Sequence, residues 1–149
     1  MKTNKIYLSV SFIFLFNIIG ATALCFPALR EAILKLTPLN LLLIFMIFFY
    51  ANNDFSLSFL KTILLVFIIG YFIEVLGVRF KFIFGEYFYG ETLGLKILNT
   101  PIIMGINWLS LSLSTFGIAA YVFKPKLLIV VSASALMVLA DMLIEPLSA

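Results

Sequence analysis

Three carboxylates fall inside stretches that read as hydrocarbon-spanning. Glu74 lies about one turn from the end of a long apolar run, and Asp141 and Glu145 stand four residues apart in another. An ionisable group at bilayer depth is costly and ordinarily marks a functional site. A spacing of four puts Asp141 and Glu145 on one helix face, where two ionised carboxylates repel and an apolar setting further disfavours charge. Such a pair tends to hold one carboxylic acid and one carboxylate near neutral pH, the inventory of general acid–base catalysis. A plainer reading makes the pair a helix end in headgroups, with Pro146 close by. Glu74 has its own plainer reading, an interfacial carboxylate paired with Arg79 or a lysine. Against this, Gly70 and Gly77 flank Glu74 at helical spacing and Tyr71 precedes it by three. Small residues let a neighbouring helix approach closely, which would turn Glu74 toward a bundle interior.

The segment after Glu74 is the longest connection in the chain, running from Arg79 to Thr100. Its core, Phe82-Ile83-Phe84-Gly85-Glu86-Tyr87-Phe88-Tyr89-Gly90, alternates bulky and polar residues between glycines. Tyr and Trp are ordinarily enriched at membrane interfaces, so an interfacial belt is the first expectation. The same rings could instead line a slot for a long apolar ligand, or face a carbocation with their π clouds. Asn107 and Trp108 follow in the next apolar run. Asn107 shares a face with Ser110 and Ser114, where interhelical hydrogen bonds are the ordinary role and water-holding the functional one.

Composition removes most other chemistry. Of 149 residues 64% are hydrophobic and 11% charged, and the mean hydropathy is +1.20. Soluble domains carry about 25% charged residues, so these values belong to an integral membrane protein. The net charge of +3 is spread along the chain, leaving no basic stripe for nucleic acid. There is no His and one Cys, Cys25, so zinc, haem and Cys–His catalysis lack their usual groups and no internal disulfide can form. Cys25 reads as a small hydrophobe at the end of an apolar run. No Gly-rich phosphate loop is present.

The elements that must position these groups are five apolar segments, at 6–26, 36–51, 57–78, 102–123 and 127–147. About 20 apolar residues cross the hydrocarbon as a helix, which predicts an all-α polytopic membrane bundle in a single domain over 1–149. The second segment is the shortest, with Pro38 placed for a first helical turn and Lys35 free to snorkel. The first segment imitates a signal peptide, with Lys2, Lys5 and then Ala21-Thr22-Ala23, but its apolar run continues through Cys25 and Phe26. Positive charges tie between the two sides, so orientation is not set. The short links at 52–56 and 124–126 predict antiparallel neighbours.

Taken in order, Glu74-Val-Leu-Gly77-Val78, Phe84-Gly85-x-Tyr87-x-Tyr89-Gly90, Leu93-Gly94, Pro101 and Trp108 resemble the carotenoid biosynthesis family of membrane hydratases (CruF type). The late Asp141-Met-Leu-Ile-Glu145-Pro146 resembles that family's acidic motif. These blocks span about half of the chain. Phe80-Lys81 stands where the family pattern often has Thr-Gly, and Ala140 where an aromatic residue can occur. The family pattern usually continues through a Trp-rich segment beyond residue 149, so the resemblance implies a member lacking that C-terminal part.

The resemblance implies hydration of the acyclic (ψ) end group of a carotenoid, an isoprenoid lyase reaction without metal, nucleotide or redox cofactor. It implies Glu74, Asp141 and Glu145 as the acid–base groups, with Asp141 or Glu74 the proton donor and Glu145 orienting water. Tyr87, Tyr89 and Trp108 would line the end-group pocket and Asn107 would hold water. The partners would be a lipid-soluble carotenoid, the bilayer, and a second copy or other carotenoid enzymes, at a cell membrane (the bacterial inner membrane) crossed several times. Three other readings stay open: a ψ-end cyclase, a small proton-coupled transporter, and a non-catalytic membrane assembly protein.

Overall fold

The computed structural model describes residues 2–51, 55–80 and 87–148, with side chains described over 8–51, 55–80 and 87–140 and at Met142. Five helices carry the fold: α1 (Lys2–Leu24), α2 (Pro27–Ala51), α3 (Leu57–Phe80), α4 (Ile103–Val122) and α5 (Lys126–Ser148). Between α3 and α4 the described residues make a 3-10 turn, Glu91–Leu93, and a small antiparallel hairpin of β1 (Lys96–Ile97) and β2 (Thr100–Pro101).

Hydropathy alone places the start of the second segment at residue 36, but α2 begins at Pro27. Proline suits a first helical position, because its missing N–H would have no intrahelical partner there. Arg30, Glu31 and Lys35 then occupy the first turns of α2, where they interrupt the apolar run without interrupting the helix. Glu31 and Lys35 pair across one turn at 2.7 Å, both exposed, a contact worth a few tenths of a kcal/mol at most. Pro38 therefore lies inside the helix rather than in its first turn, where it offers no N–H to the carbonyl four residues back.

The short link at 52–56 does not make α2 and α3 close neighbours along their length. The two helices meet at a cluster of rings, with Phe49 6.0 Å from Phe55 and 6.2 Å from Phe59 between centroids. Beyond that cluster α2 leans on α4. The other short link behaves as predicted, and α4 and α5 pack along one another. Thus α4 is the hub, touching α2, α3 and α5. The small core follows it, with Ile103, Leu109 and Ala119 of α4 buried together with Ile63 and Val75 of α3.

Most other large apolar side chains are exposed, including Phe14, Leu39, Ile69, Phe116 and Val130. A hydrocarbon solvent accepts such surfaces at no cost, so tight packing is needed only where helices meet. Three helices, α2, α3 and α4, are long and apolar enough to cross a membrane, whereas the described apolar stretches of α1 and α5, Leu8–Leu24 and Lys126–Ala140, are shorter.

Candidate active site around Glu74

Two glycines bring α3 and α4 together. A methyl group at Gly70 would lie 2.6 Å from the Trp108 Cβ, and one at Gly105 would lie 2.5 Å from the Phe67 ring. Real Cβ atoms do not approach that closely, so at Gly70, where the Trp108 Cβ is fixed to its backbone, only glycine fits, whereas at Gly105 the Phe67 ring edge would have to move. With its Cβ seated on Gly70, Trp108 reaches along α3, and its indole Nε1–H donates to Glu74 Oε2 at 2.6 Å.

The loop closes the other side of the carboxylate. The Tyr87 and Tyr89 hydroxyls both lie on Glu74 Oε1, at 2.7 and 2.5 Å. Their rings meet edge to face with centroids 5.5 Å apart. Phe88 between them is 90% exposed, so residues 87–89 alternate as an extended strand does, tyrosines inward and phenylalanine outward. For these two tyrosines the belt expectation gives way to a half-buried polar role. Phenol hydroxyls need partners when covered, and a buried carboxylate supplies them. Glu74 is only 3% exposed, and among the described residues no salt bridge joins it to Arg79 or a lysine.

The chemistry of the cluster follows from its donor inventory. An indole N–H can only donate, so Oε2 must accept from Trp108. The two phenol hydroxyls donate to Oε1, so that oxygen accepts twice. The O···O separations fall in the range of charge-assisted hydrogen bonds, which are shorter and stronger than neutral ones.

The remaining expected residues are Asn107, Asp141 and Glu145. Asn107 is half-buried one position before Trp108, on the face with Ser110 and Ser114, and among the described residues no hydrogen bond joins it to Glu74. Ser110 and Ser114 instead line a cavity of about 160 Å³ with Ser9, Phe45 and Phe48, between α1, α2 and α4. Asp141 and Glu145 lie in the last turns of α5, but their side chains are outside the described residues, as is the Lys81–Glu86 part of the loop. The helix backbone still fixes the level of position 141. Ser112 of α4 contacts Met137 of α5 at 3.6 Å. Stepping back four residues along α4 and forward four along its antiparallel neighbour covers the same ~6 Å, so position 141 stands level with Trp108.

Two residues had no site role in the sequence reading. The Tyr71 hydroxyl lies 2.9 Å from the Ile97 carbonyl and 3.0 Å from that of Thr100. Lys96 Nζ donates to the Tyr89 carbonyl at 2.9 Å and to Glu91 Oε1 at 2.7 Å. The signal for Tyr71 was its place one helical turn from Glu74. Lys96 gave none beyond being a loop cation.

Fold and cluster together define an all-α membrane bundle with one carboxylate buried among phenols and an indole. Residues 12–149 match the carotenoid biosynthesis protein family, and the chain belongs to it. No curated protein matches the chain, and no solved structure does.

Proposed function

We propose that this chain hydrates the terminal C-1=C-2 double bond at the ψ end of a carotenoid. The family supplies a lipophilic carotenoid as substrate class. The observation that carries the reaction type is the buried Glu74 carboxyl, capped by Tyr87, Tyr89 and Trp108. Protonation of C-2 by a carboxylic acid leaves a tertiary cation at C-1. Water adds its oxygen to C-1 and loses a proton to a second carboxylate, giving a tertiary alcohol, and passage of that proton back to the first carboxylate restores the starting state. Such chemistry asks for an acid held in an apolar site, fixed dipoles beside the developing charge, and limited water.

In this reading Asp141 or Glu74 delivers the proton and Glu145 orients the water. The Tyr87 and Tyr89 rings and the Trp108 indole flank the cation, which aromatic faces attract. The level match between position 141 and Trp108 supports bringing α5 into the same site. Asn107, one position before Trp108 on α4, holds the water.

The test is expression of the chain in a lycopene-accumulating bacterium, with pigments separated and weighed by mass spectrometry. Hydration adds the mass of one water per modified end, whereas a cyclase product keeps the mass of lycopene. Membrane-inserted protein with unchanged pigment removes the hydratase reading. Glu74→Gln, Asp141→Asn and Glu145→Gln are each expected to reduce product by about 10²-fold or more, the ordinary cost of losing a general acid or base.

A further inference from the structure

We propose that Lys96 is a positioning residue for the Glu74 cluster, holding Tyr89, and with it residues 87–89, in register over the carboxylate. The inference rests on the hydratase reading only for the part of its test that measures turnover.

The hydrogen bonds form a circuit that leaves α3 and returns to it. Tyr71 of α3 grips the hairpin at the carbonyls of Ile97 and Thr100, which face each other across the two strands. Next to Ile97 stands Lys96, whose opposite residue Pro101 is fully buried, so the base of the lysine is anchored. Its ammonium group then reaches the Tyr89 carbonyl. Tyr89 completes the circuit by placing its hydroxyl on Glu74, one helical turn from Tyr71. A second backbone bond, from Ile102 N–H to the Leu95 carbonyl, extends the hairpin at its open end.

Of the two groups that Lys96 touches among the described residues, the carbonyl matters more. The Glu91 side chain is 94% exposed, whereas that of Lys96 is 21% exposed. An ion pair with so exposed a partner is screened and contributes little. The bond to the Tyr89 carbonyl is partly buried and charge-assisted, which is the stronger kind. Gly90 and Gly94 both lie between Tyr89 and Lys96, and the 3-10 turn they bracket touches α2. Lys96 adds a tether across that turn, from the hairpin straight to the Tyr89 carbonyl.

Trp108 is the chain's single tryptophan and sits on the opposite oxygen of Glu74, so its fluorescence reports on the cluster whether or not the protein turns over. Full-length protein in detergent is compared as wild type, Lys96→Met, Lys96→Arg and Glu91→Gln. Lys96→Met is expected to shift Trp108 emission to longer wavelength and raise its quenching by acrylamide. Lys96→Arg restores both, and Glu91→Gln leaves both unchanged. With pigment substrate, Lys96→Met is expected to lower kcat by about ten- to hundred-fold, the effect of a misplacement near 1 Å, while KM stays near wild type because Lys96 touches no substrate. Tyr71→Phe deletes one hydroxyl at the other end of the circuit and must move Trp108 quenching in the same direction, which decides the matter should Lys96→Met fail to accumulate. Wild-type quenching in Lys96→Met, or in Tyr71→Phe when that variant decides, overturns the inference. A wild-type protein that makes no hydrated product removes the hydratase reading and leaves the fluorescence comparison to judge Lys96.

Discussion

The α3–α4 contact and the α2 helix are built by opposite rules, although both are apolar to similar degree. Where α3 meets α4, two glycines admit rings at van der Waals distance and a buried carboxylate takes three donors. No residue of α2 is buried, and residues such as Leu39 and Met46 face outward. Hydrocarbon surroundings explain the contrast. Lipid tails solvate an apolar side chain as well as another helix does, so association rests on close approach and polar contacts. In this molecule both devices are concentrated at Glu74, which is also where the proposed chemistry lies.

The contrast can be broken most severely at its centre. Glu74→Ala removes the acceptor that two phenols and an indole N–H share, and is expected to cost about 3 kcal/mol or more, measured by unfolding in mixed micelles, with complete loss of product. Gly70→Ala should cost about 1–3 kcal/mol, because the atom it meets is the Trp108 Cβ, which is fixed to the backbone. Gly105→Ala meets only the outer edge of the Phe67 ring, which can swing away, so its cost should be clearly smaller. If Gly105→Ala proved the worse of the two, the account of Trp108 as the seated residue would be wrong.

The next effect has the opposite sign. Leu98 and Asn99 turn the hairpin with φ of 54° and 64°, a left-handed conformation that strains a leucine. Leu98 is exposed, so Leu98→Asn gives up little burial and should stabilise by about 1 kcal/mol, seen as a raised thermal midpoint. The smallest effect belongs to the lipid-facing side. Met46→Leu on α2 should change stability by less than about 0.5 kcal/mol. A large loss there would show that α2 is covered by something other than lipid.

Much of this contrast was legible before any coordinates. The apolar runs gave the helical class, and Glu74 between Gly70 and Gly77 pointed to a carboxylate turned inward. Trp108 was singled out too, though its seat on Gly70 requires two helices in space. What stayed hidden had physical reasons. Charges at Arg30, Glu31 and Lys35 masked the start of α2, because hydropathy measures solvent preference rather than backbone conformation. A hairpin with two-residue strands and a Leu-Asn turn carries no Asn-Gly signature. The roles of Tyr71 and Lys96 depend on backbone carbonyls, which every residue possesses and no side-chain pattern reveals. The tyrosines read first as an interfacial belt because composition cannot distinguish a phenol meeting headgroups from one meeting a carboxylate.

The alternation of Tyr87, Phe88 and Tyr89 makes this site tolerant of one kind of genetic error and not of another. A substitution at either tyrosine removes one donor and leaves its twin on the same oxygen of Glu74. A one-residue insertion or deletion between Tyr89 and the hairpin shifts the strand by half of its two-residue side-chain period. It would turn Phe88 inward and both phenols outward, stripping Oε1 in a single event. Relatives of this chain should therefore vary the identities of these residues more readily than the length of the segment joining them to Lys96.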